Sequence, residues 1–474
     1  MTARTRHQDD WPGPRIAMLA TQAGRAGGAA IALERLATAV RAAGGQVDVV
    51  TRAAMPPAPA AVQRLERLVR RSIRRARTPV SNTLFTADWP AWDLTDQPAV
   101  AGADLVNVHW VAGFIAAAGI RRLVESGRPV AWTLHDMRPF TGGCHYASGC
   151  EGFTAACAGC PQLAAALGPL PERSLARARR RLAGLPLVFV SPSRWLAEEL
   201  ARSSLFDPRA HRVRVIPNGI DLDRYVPGDR RAARRRLGLP ENGLAILLGS
   251  VSLDERRKGA GVAAAAVAQA AAEITRRGGA PAPVVVTYGS GQVEIPGVRC
   301  RHLGSRDEAG VLEALQACDV HLTMAREDNL PNTVIEALAC GLPVVATRAG
   351  GHPELVTDGL SGWLVGVDDS PAAAAVLVRL AEDPPLVRAA AARARVRAEA
   401  EWDARLQARR YLALAAELRG TLPGARQLDA AAAPAAAARL TPAAVAAVQR
   451  GAPLRGPLRR LRRLAGLALK PSPH

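Results

Sequence analysis

The chain has 474 residues, of which 49% are hydrophobic and 4% aromatic, and its formal net charge is +20. This length is too great for one ordinary core and predicts two domains of about 200 residues each. Outside the termini no uncharged apolar run of about 18 residues occurs, and the first residues lack the apolar region of a secretory signal, so we expect a cytoplasmic protein without a spanning helix.

In the first half of the chain, apolar runs of strand length alternate with helical patterns. This alternation is typical of βαβ units around a parallel sheet. It predicts one Rossmann-like domain over residues 14–216. The strands are predicted at residues 15–20, 46–51, 104–109, 129–134, 187–191 and 212–216.

A glycine-rich turn follows the first predicted strand and opens a helix. Gly27 and Gly28 lie in this turn, where the missing side chains would let a ligand approach the backbone closely. Tight strand–helix turns need glycines in any case, so this signal is weak when taken alone.

Residues 61–78 form a strongly basic segment, with seven arginines and one glutamate. Basic clusters of this kind attract anionic lipid or nucleic acid. A solvated or disordered arm would have the same composition.

Two histidines, His109 and His135, end successive predicted strands. We expect His135 to point into the cleft between the domains, because ligands of doubly wound folds bind at the carboxyl ends of the strands. Its imidazole could hydrogen-bond a substrate or relay a proton near neutral pH. A purely structural role is the alternative for both residues.

Four of the seven cysteines fall within the loop 140–163. In a reducing cytoplasm, a cluster that contains a C-x2-C pair predicts a structural zinc ion held by thiolates. Disulfides, an iron–sulfur site and free thiols are the alternatives. The predicted ligands are Cys144, Cys150, Cys157 and Cys160.

The alternation of strands and helices starts again after the turn at 217–219 and predicts a second Rossmann-like domain over residues 217–402. Lys258 opens a helix after the first strand of this domain, where its ammonium group could neutralise a phosphate together with Arg256 or Arg257. A solvated helix start is the alternative. The strands are predicted at 244–249, 284–288, 298–303, 319–324 and 343–347.

Residues 319–347 predict a strand, a short acidic loop, a helix with Pro331 in its first turn, and a second strand. Free amides at that helix start can hold a phosphate, aided by the helix dipole. The carboxylates of Asp328 and Glu336 can accept hydrogen bonds from ribose and sugar hydroxyls. Glu336 interrupts an apolar run and needs a polar partner, whereas residues 327–329 could simply cap the helix.

The end of the chain changes character after residue 420. Residues 403–420 predict a crossover helix that packs on the domains. Residues 421–474 form a tail rich in Ala, Pro and Arg, in which 458–470 has the spacing of a short basic amphipathic helix suited to an anionic membrane. A frayed, partly disordered tail is the alternative.

The acidic loop resembles the E-x7-E signature of the retaining glycosyltransferases of family 4. Glu336 matches the second acid, which in that family binds the nucleotide ribose, and Asp328 stands where the family usually has a glutamate that contacts the donor sugar. His135 matches a histidine that contacts the sugar, and the loop amides of the family correspond to Asn329, Leu330 and Pro331, of which Pro331 can donate no N–H. Residues 107–110 and 132–163 resemble more narrowly the colanic acid and exopolysaccharide branch.

The resemblance implies an α/β chain of GT-B fold, in which two Rossmann-like doubly wound domains face a central cleft and the basic tail follows them. It also implies retaining transfer of a sugar from a UDP- or GDP-sugar to a glycan acceptor linked to a polyprenyl lipid, with no cofactor required for catalysis. Lys258 would stabilise the leaving diphosphate. The basic segments would hold the enzyme at the inner face of the cytoplasmic membrane.

Two other functions stay open on the sequence alone. One is a nucleotide-sugar epimerase of the same fold. The other is a basic, zinc-bearing protein that binds nucleic acid, but that function gives Glu336 and the two-domain pattern no role, so we expect no nucleic-acid partner.

Overall fold

The computed structural model describes residues 13–24, 27–90 and 92–420 and the backbone of Arg439–Leu440. The first half of the chain is built on seven strands, β1 (Arg15–Ala20), β2 (Gln46–Thr51), β3 (Trp92–Asp93), β4 (Leu105–Val108), β5 (Val130–Thr133), β6 (Val188–Ser191) and β7 (Arg212–Val215). All except β3 form one parallel sheet in the order β2-β1-β4-β5-β6-β7.

Helices cover both faces of this first sheet. Alternate side chains of β1 enter two different cores, since Ala17 and Leu19 pack in one cluster and Ile16 and Met18 in another. Strands buried on both faces consist of continuous apolar runs, which is why the pattern predicted them well. The helices are α1 (Gly28–Ala42), α2 (Ala60–Arg75), α3 (Pro98–Ala101), α4 (Ala117–Glu125), α5 (Pro169–Leu182) and α6 (Arg194–Arg202).

The second half repeats the same architecture. Its strands are β8 (Ala245–Ser252), β9 (Val284–Ser290), β10 (Arg299–His302), β11 (Val320–Thr323), β12 (Val344–Thr347) and β13 (Gly362–Val365). They form a parallel sheet in the order β10-β9-β8-β11-β12-β13, so the predicted pair of doubly wound α/β domains is confirmed. The helices are α7 (Arg230–Leu237), α8 (Ala260–Arg277), α9 (Glu308–Ala317), α10 (Asn332–Ala339), α11 (His352–Leu355), α12 (Ser370–Glu382) and α13 (Pro384–Glu401).

The last described helix, α14 (Ala404–Gly420), leaves the second domain and packs against the first. Its residues Ala408 and Leu414 are buried in the same cluster as Ile16 of β1. Its Tyr411 hydroxyl lies 2.9 Å from Oγ1 of Thr133 at the end of β5. The helix thereby fastens the end of the second domain to the strand that precedes His135.

A two-residue strand beyond α14, β14 (Arg439–Leu440), pairs with β3 in the antiparallel sense. The rest of the tail, with the predicted amphipathic helix at 458–470, lies outside the described residues. None of the described helices has the length and hydropathy that crossing a bilayer requires.

Candidate functional site

The carboxyl ends of the two sheets meet in a cleft that hydrogen bonds hold closed. Ser193, which follows β6, donates to Oδ1 of Asn329 at 2.6 Å, and Asn329 donates to the backbone oxygen of His135 at 3.3 Å. Asn332, at the start of α10, donates to the backbone oxygen of Gly28 at 3.1 Å. Ser193, Asn329 and His135 follow three different strands, and these bonds bring them together where the carboxyl ends of the sheets meet.

Asp328 lies in this cleft between two cations. Nζ of Lys258 is 2.6 Å from its Oδ2, and a guanidinium nitrogen of Arg257 is 3.2 Å from its Oδ1. Burial would raise the pKa of the Asp328 carboxyl, but the two cations outweigh burial and hold that pKa well below its usual range. Asp328 is therefore ionised at neutral pH.

The backbone that presents Lys258 turns sharply after β8. Residues Arg256–Lys258 form one 3-10 turn, which ends at Gly259 with a φ of 69°. A Cβ atom at Gly259 would lie 1.9 Å from the backbone oxygen of Met324, at the end of β11. Only glycine allows so close an approach, which places Lys258 opposite the acidic loop.

The three predicted basic residues do not all reach the cleft. Lys258 and Arg257 meet at Asp328, whereas Arg256 is exposed. The side chain of Arg256 donates to the backbone oxygen of Pro79, on the outer edge of the contact between the domains.

Glu336 is buried on α10, with 6% of its surface exposed, and it meets an arginine of the other domain. A guanidinium nitrogen of Arg35 on α1 donates to its Oε1 at 2.8 Å and to the Tyr225 hydroxyl at 2.8 Å. Burial raises the pKa of Glu336, and Arg35 opposes that rise. The sequence predicted a polar partner for Glu336 because its neighbours are apolar, and that partner is Arg35.

The acidic loop does not cap α10. Pro331 is the N-cap residue, one position before the helical turn predicted for it, and its own side chain makes no capping hydrogen bond. Glu327 instead accepts from the amides of Ala147 and Ser148 at 3.1 and 2.9 Å, across the cleft. The side chain of Leu330 packs into the core of the second domain, so only its backbone amide is left to bind a ligand.

His135 is partly exposed at the end of β5, and its Nε2 lies 3.0 Å from Nδ1 of His109. Burial lowers the pKa of His135 to about 4, so the imidazole is uncharged at neutral pH. This favours a role in hydrogen bonding over the predicted proton relay near neutral pH.

The glycine turn faces the start of α10. Gly27 is the N-cap of α1 with a φ of 118°, and a Cβ atom there would meet no neighbour within 4 Å. A Cβ atom at Gly28 would lie 3.8 Å from the side-chain nitrogen of Asn332. The two glycines leave room in the cleft beside the predicted phosphate-binding amides.

The four clustered cysteines line one small cavity, together with Phe85 and Phe153. Over the described residues, however, no group of three or more His, Cys, Asp or Glu side chains is placed to hold a metal ion, so the predicted structural zinc site is not supported. All four are free thiols. Burial raises the pKa of Cys157 to about 11 and that of Cys144 further, which keeps both thiols uncharged in apolar surroundings.

Arg35, Tyr225 and Tyr146 contact the cleft carboxylates or their partners, and the sequence did not predict them as site residues. Arg35 occupies an ordinary position on an amphipathic helix, 301 residues before Glu336, so no local pattern indicates it. Tyr225 follows the break between the domains and carries no motif. Tyr146 lies within the stretch 132–163, and its hydroxyl donates to Asp328 at 3.3 Å while its ring stacks under Arg257 at 3.9 Å.

The cleft suits a ligand that carries both phosphates and hydroxyls. Its carboxylates, Asp328 and Glu336, are each paired with a cation. A phosphate could replace Asp328 as the partner of Lys258, and hydroxyls could replace the cations as partners of the carboxylates. Arg35, released from Glu336, would remain near the carboxylate of Glu308, which lies 3.6 Å away.

Two family models match the chain. Glycosyltransferase Family 4 matches residues 26–224, and Glycosyl transferases group 1 matches residues 245–383. The first match contains Arg35 and His135, and the second contains Lys258, Asp328 and Glu336.

Named relatives and solved structures agree with these matches. The D-inositol 3-phosphate glycosyltransferase of Acidothermus cellulolyticus is 28% identical over 429 residues, which cover 81% of this chain and 87% of the relative. The putative colanic acid biosynthesis glycosyl transferase WcaC of Escherichia coli K12 is 28% identical over 276 residues, which cover 55% of this chain and 63% of the relative.

The solved structures share the fold at low sequence identity. Sucrose-phosphate synthase of Thermosynechococcus elongatus has a TM-score of 0.60 at 20% identity, covering 85% of this chain and 99% of that chain. Anabaena HepE in complex with UDP-glucose has a TM-score of 0.54 at 18% identity, covering 85% and 99%. The predicted GT-B fold is thereby confirmed.

Proposed function

The chain belongs to the glycosyltransferases of family 4, and we propose that it transfers a hexose from a UDP- or GDP-sugar to a glycan acceptor with retention of the anomeric configuration. The observation that carries this proposal is the cleft itself. A buried carboxylate, Glu336, and a cation, Lys258, lie on neighbouring loop–helix units where the carboxyl ends of both sheets meet.

Donor binding would exchange the partners of the charged groups. The diphosphate takes Lys258 and Arg257, and the start of α10 adds its backbone amides and helix dipole. Glu336 accepts from the ribose hydroxyls in place of Arg35. Asp328 and the neutral imidazole of His135 are left to orient the sugar.

In the reaction the bond between the anomeric carbon and the diphosphate oxygen breaks, and its electron pair stays on the diphosphate. The acceptor oxygen forms the new bond on the same face of the sugar, and its proton passes to the leaving phosphate oxygen. Lys258 stabilises the negative charge that develops on the diphosphate.

The uridine donor and a polysaccharide product are each suggested by one comparison. HepE holds UDP-glucose in its solved structure, and WcaC is named for colanic acid biosynthesis. Both proteins are similar to this chain, and we extend these two properties to it as part of the proposal. The relatives named for inositol 3-phosphate make a small phosphorylated acceptor the second candidate.

The basic helix α2 supports the proposal that the acceptor is linked to a polyprenyl lipid in the membrane. Only Val62 and Ile73 of this helix are buried, so its basic side chains are available to anionic headgroups at the inner face of the cytoplasmic membrane. The arginines of this helix are Arg64, Arg67, Arg70, Arg71, Arg74 and Arg75.

A thermal-shift screen of the full chain against UDP-, GDP- and dTDP-sugars tests the donor site. Binding to the folded state raises Tm, and the preferred donor gives the largest rise. Glu336→Ala should abolish that rise relative to its own unliganded Tm, whereas Glu241→Ala, at an exposed site, should keep it. A Glu336→Ala variant that binds donor as the unchanged chain does would end the assignment.

A further inference from the structure

A row of buried polar side chains runs from the crossover helix to His135. The Tyr411 hydroxyl lies 2.9 Å from Oγ1 of Thr133, which lies 2.9 Å from Nδ2 of Asn107. Oδ1 of Asn107 lies 2.7 Å from Nε2 of His109, and Nδ1 of His109 lies 3.0 Å from Nε2 of His135. Such a row fixes the proton on each ring, because every contact needs one donor and one acceptor.

The orientation of the Asn107 amide is set by the backbone. Its Nδ2 lies 3.2 Å from the carbonyl oxygen of Ala131, which can only accept a hydrogen bond. The atom that faces His109 is therefore the amide oxygen, Oδ1, which also can only accept. Nε2 of His109 must carry the proton.

The position of the proton on His109 then determines which nitrogen of His135 is protonated. Burial lowers the pKa of His109 well below its usual value, so this ring is neutral and its Nδ1 is bare. A bare Nδ1 can only accept, so Nε2 of His135 must donate to it. His135 is neutral as well, and its own Nδ1 is the bare nitrogen.

We propose that Asn107 and His109 are positioning residues that hold His135 as the Nε2–H tautomer and present its Nδ1 to a donor-sugar hydroxyl. The identity of the ligand rests on the proposed function. Within the described part of the chain no group hydrogen-bonds to Nδ1 of His135, and the residue is partly exposed to the cleft. A bare nitrogen accepts from a hydroxyl and repels a carboxylate or ether oxygen, so the site selects sugars with a hydroxyl at that position.

The tautomer is measured by long-range 1H–15N correlation spectra of the full chain labelled with 15N-histidine, at pH 7.5. The signals of His135 are those lost in His135→Gln. We expect a protonated Nε2 and a bare Nδ1. A protonated Nδ1 in the unchanged chain would overturn the proposal, and this spectrum decides even where a variant of His109 does not fold.

Two variants test whether the row causes the tautomer. His109→Phe keeps a ring but removes the acceptor, so His135 should lose its single tautomer. Tyr411→Phe removes only the hydroxyl at the far end of the row and leaves Asn107 oriented by the carbonyl oxygen of Ala131, so it should preserve the tautomer. An unchanged His135 spectrum in a folded His109→Phe chain would show that His109 does not position the ring.

The ligand is tested with the sugar nucleotide that gives the largest thermal shift, with the matching nucleoside diphosphate as control. The sugar nucleotide should move the 15N resonance of the bare Nδ1 upfield, and the diphosphate alone should leave it in place. A stabilising sugar nucleotide that leaves Nδ1 unmoved overturns this inference and spares the proposed function. A chain that no sugar nucleotide stabilises overturns the proposed function, while the tautomer spectra still decide the role of His109.

Discussion

At the scale of single residues, the same burial has opposite outcomes for the two cleft carboxylates. Asp328 has Lys258 and Arg257 beside it, and these hold its pKa low, whereas Glu336 has one cation, Arg35, and its pKa is raised. Both charges are therefore stable only while a cation or a hydrogen-bond donor stays in contact. A ligand that removes the cation must supply its own donors.

Lys258→Ala should lower kcat by a factor on the order of 10²–10³, because it removes the charge that faces the developing diphosphate. Arg256→Ala is the matched control, since Arg256 is adjacent and basic but exposed, and it should leave kcat close to that of the unchanged chain. Donor hydrolysis or transfer measured at saturating donor gives both values. Equal losses in the two variants would contradict the placement of Lys258 at the diphosphate.

At the scale of elements, the sequence predicted the buried strands and also β7 and β10, in which no residue is buried, but it missed β3 and β13. β13 (Gly362–Val365) begins with glycine directly after a turn, and it becomes a strand through its pairing with β12. Within the described residues, the two residues of β3 pair only with β14, far along the chain. Pairing partners of this kind are tertiary information, which a local pattern does not contain.

The turn that carries Lys258 gives a prediction about one glycine. Gly259→Ala should destabilise the fold by more than the cost of about 1–2 kcal/mol for a side chain in the left-handed region, because its Cβ also meets the backbone oxygen of Met324 at 1.9 Å. Gly278→Ala is the control, with a φ of 68° and no atom within 4 Å of the added Cβ. Unfolding midpoints in denaturant compare the two, and equal destabilisation would contradict the close approach.

At the scale of the whole molecule, the sequence predicted the individual loops of the cleft but not the contacts between them. The loops with Lys258, Asp328 and His135 follow strands with clear patterns, so each was found alone. The contact of Arg35 with Glu336 joins residues 301 apart, and that of Tyr146 with Asp328 joins residues 182 apart. These pairs exist because the domains close on each other. The predicted zinc site is not supported in the described residues, because spacing along a loop brings the four thiols to one cavity without fixing how their sulfur atoms are arranged there.

Burial of neutral histidines predicts how the stability of the molecule depends on pH. Burial lowers the pKa of His321 and of His352 to about 4, from an ordinary value near 6.5. Between these values the unfolded chain binds protons that the folded chain does not, so the free energy of unfolding should rise with pH from about 4 to 6.5 and level off above. Because each pKa unit corresponds to about 1.4 kcal/mol, His321→Gln should flatten part of this slope.

The measurement is the denaturant midpoint of the unchanged chain and of His321→Gln at steps between pH 4 and 7.5. In His321→Gln the side chain keeps an N–H for the backbone oxygen of Leu247, which Nδ1 of His321 contacts at 3.2 Å. Above pH 6.5 the imidazole is neutral in both the folded and the unfolded chain, so the slopes of unfolding free energy against pH should differ least there. A slope that is the same in both proteins across the acid range would mean that His321 takes up its proton while the chain is still folded. In that case the ring must gain access to water in the folded state, which its 1% exposure argues against.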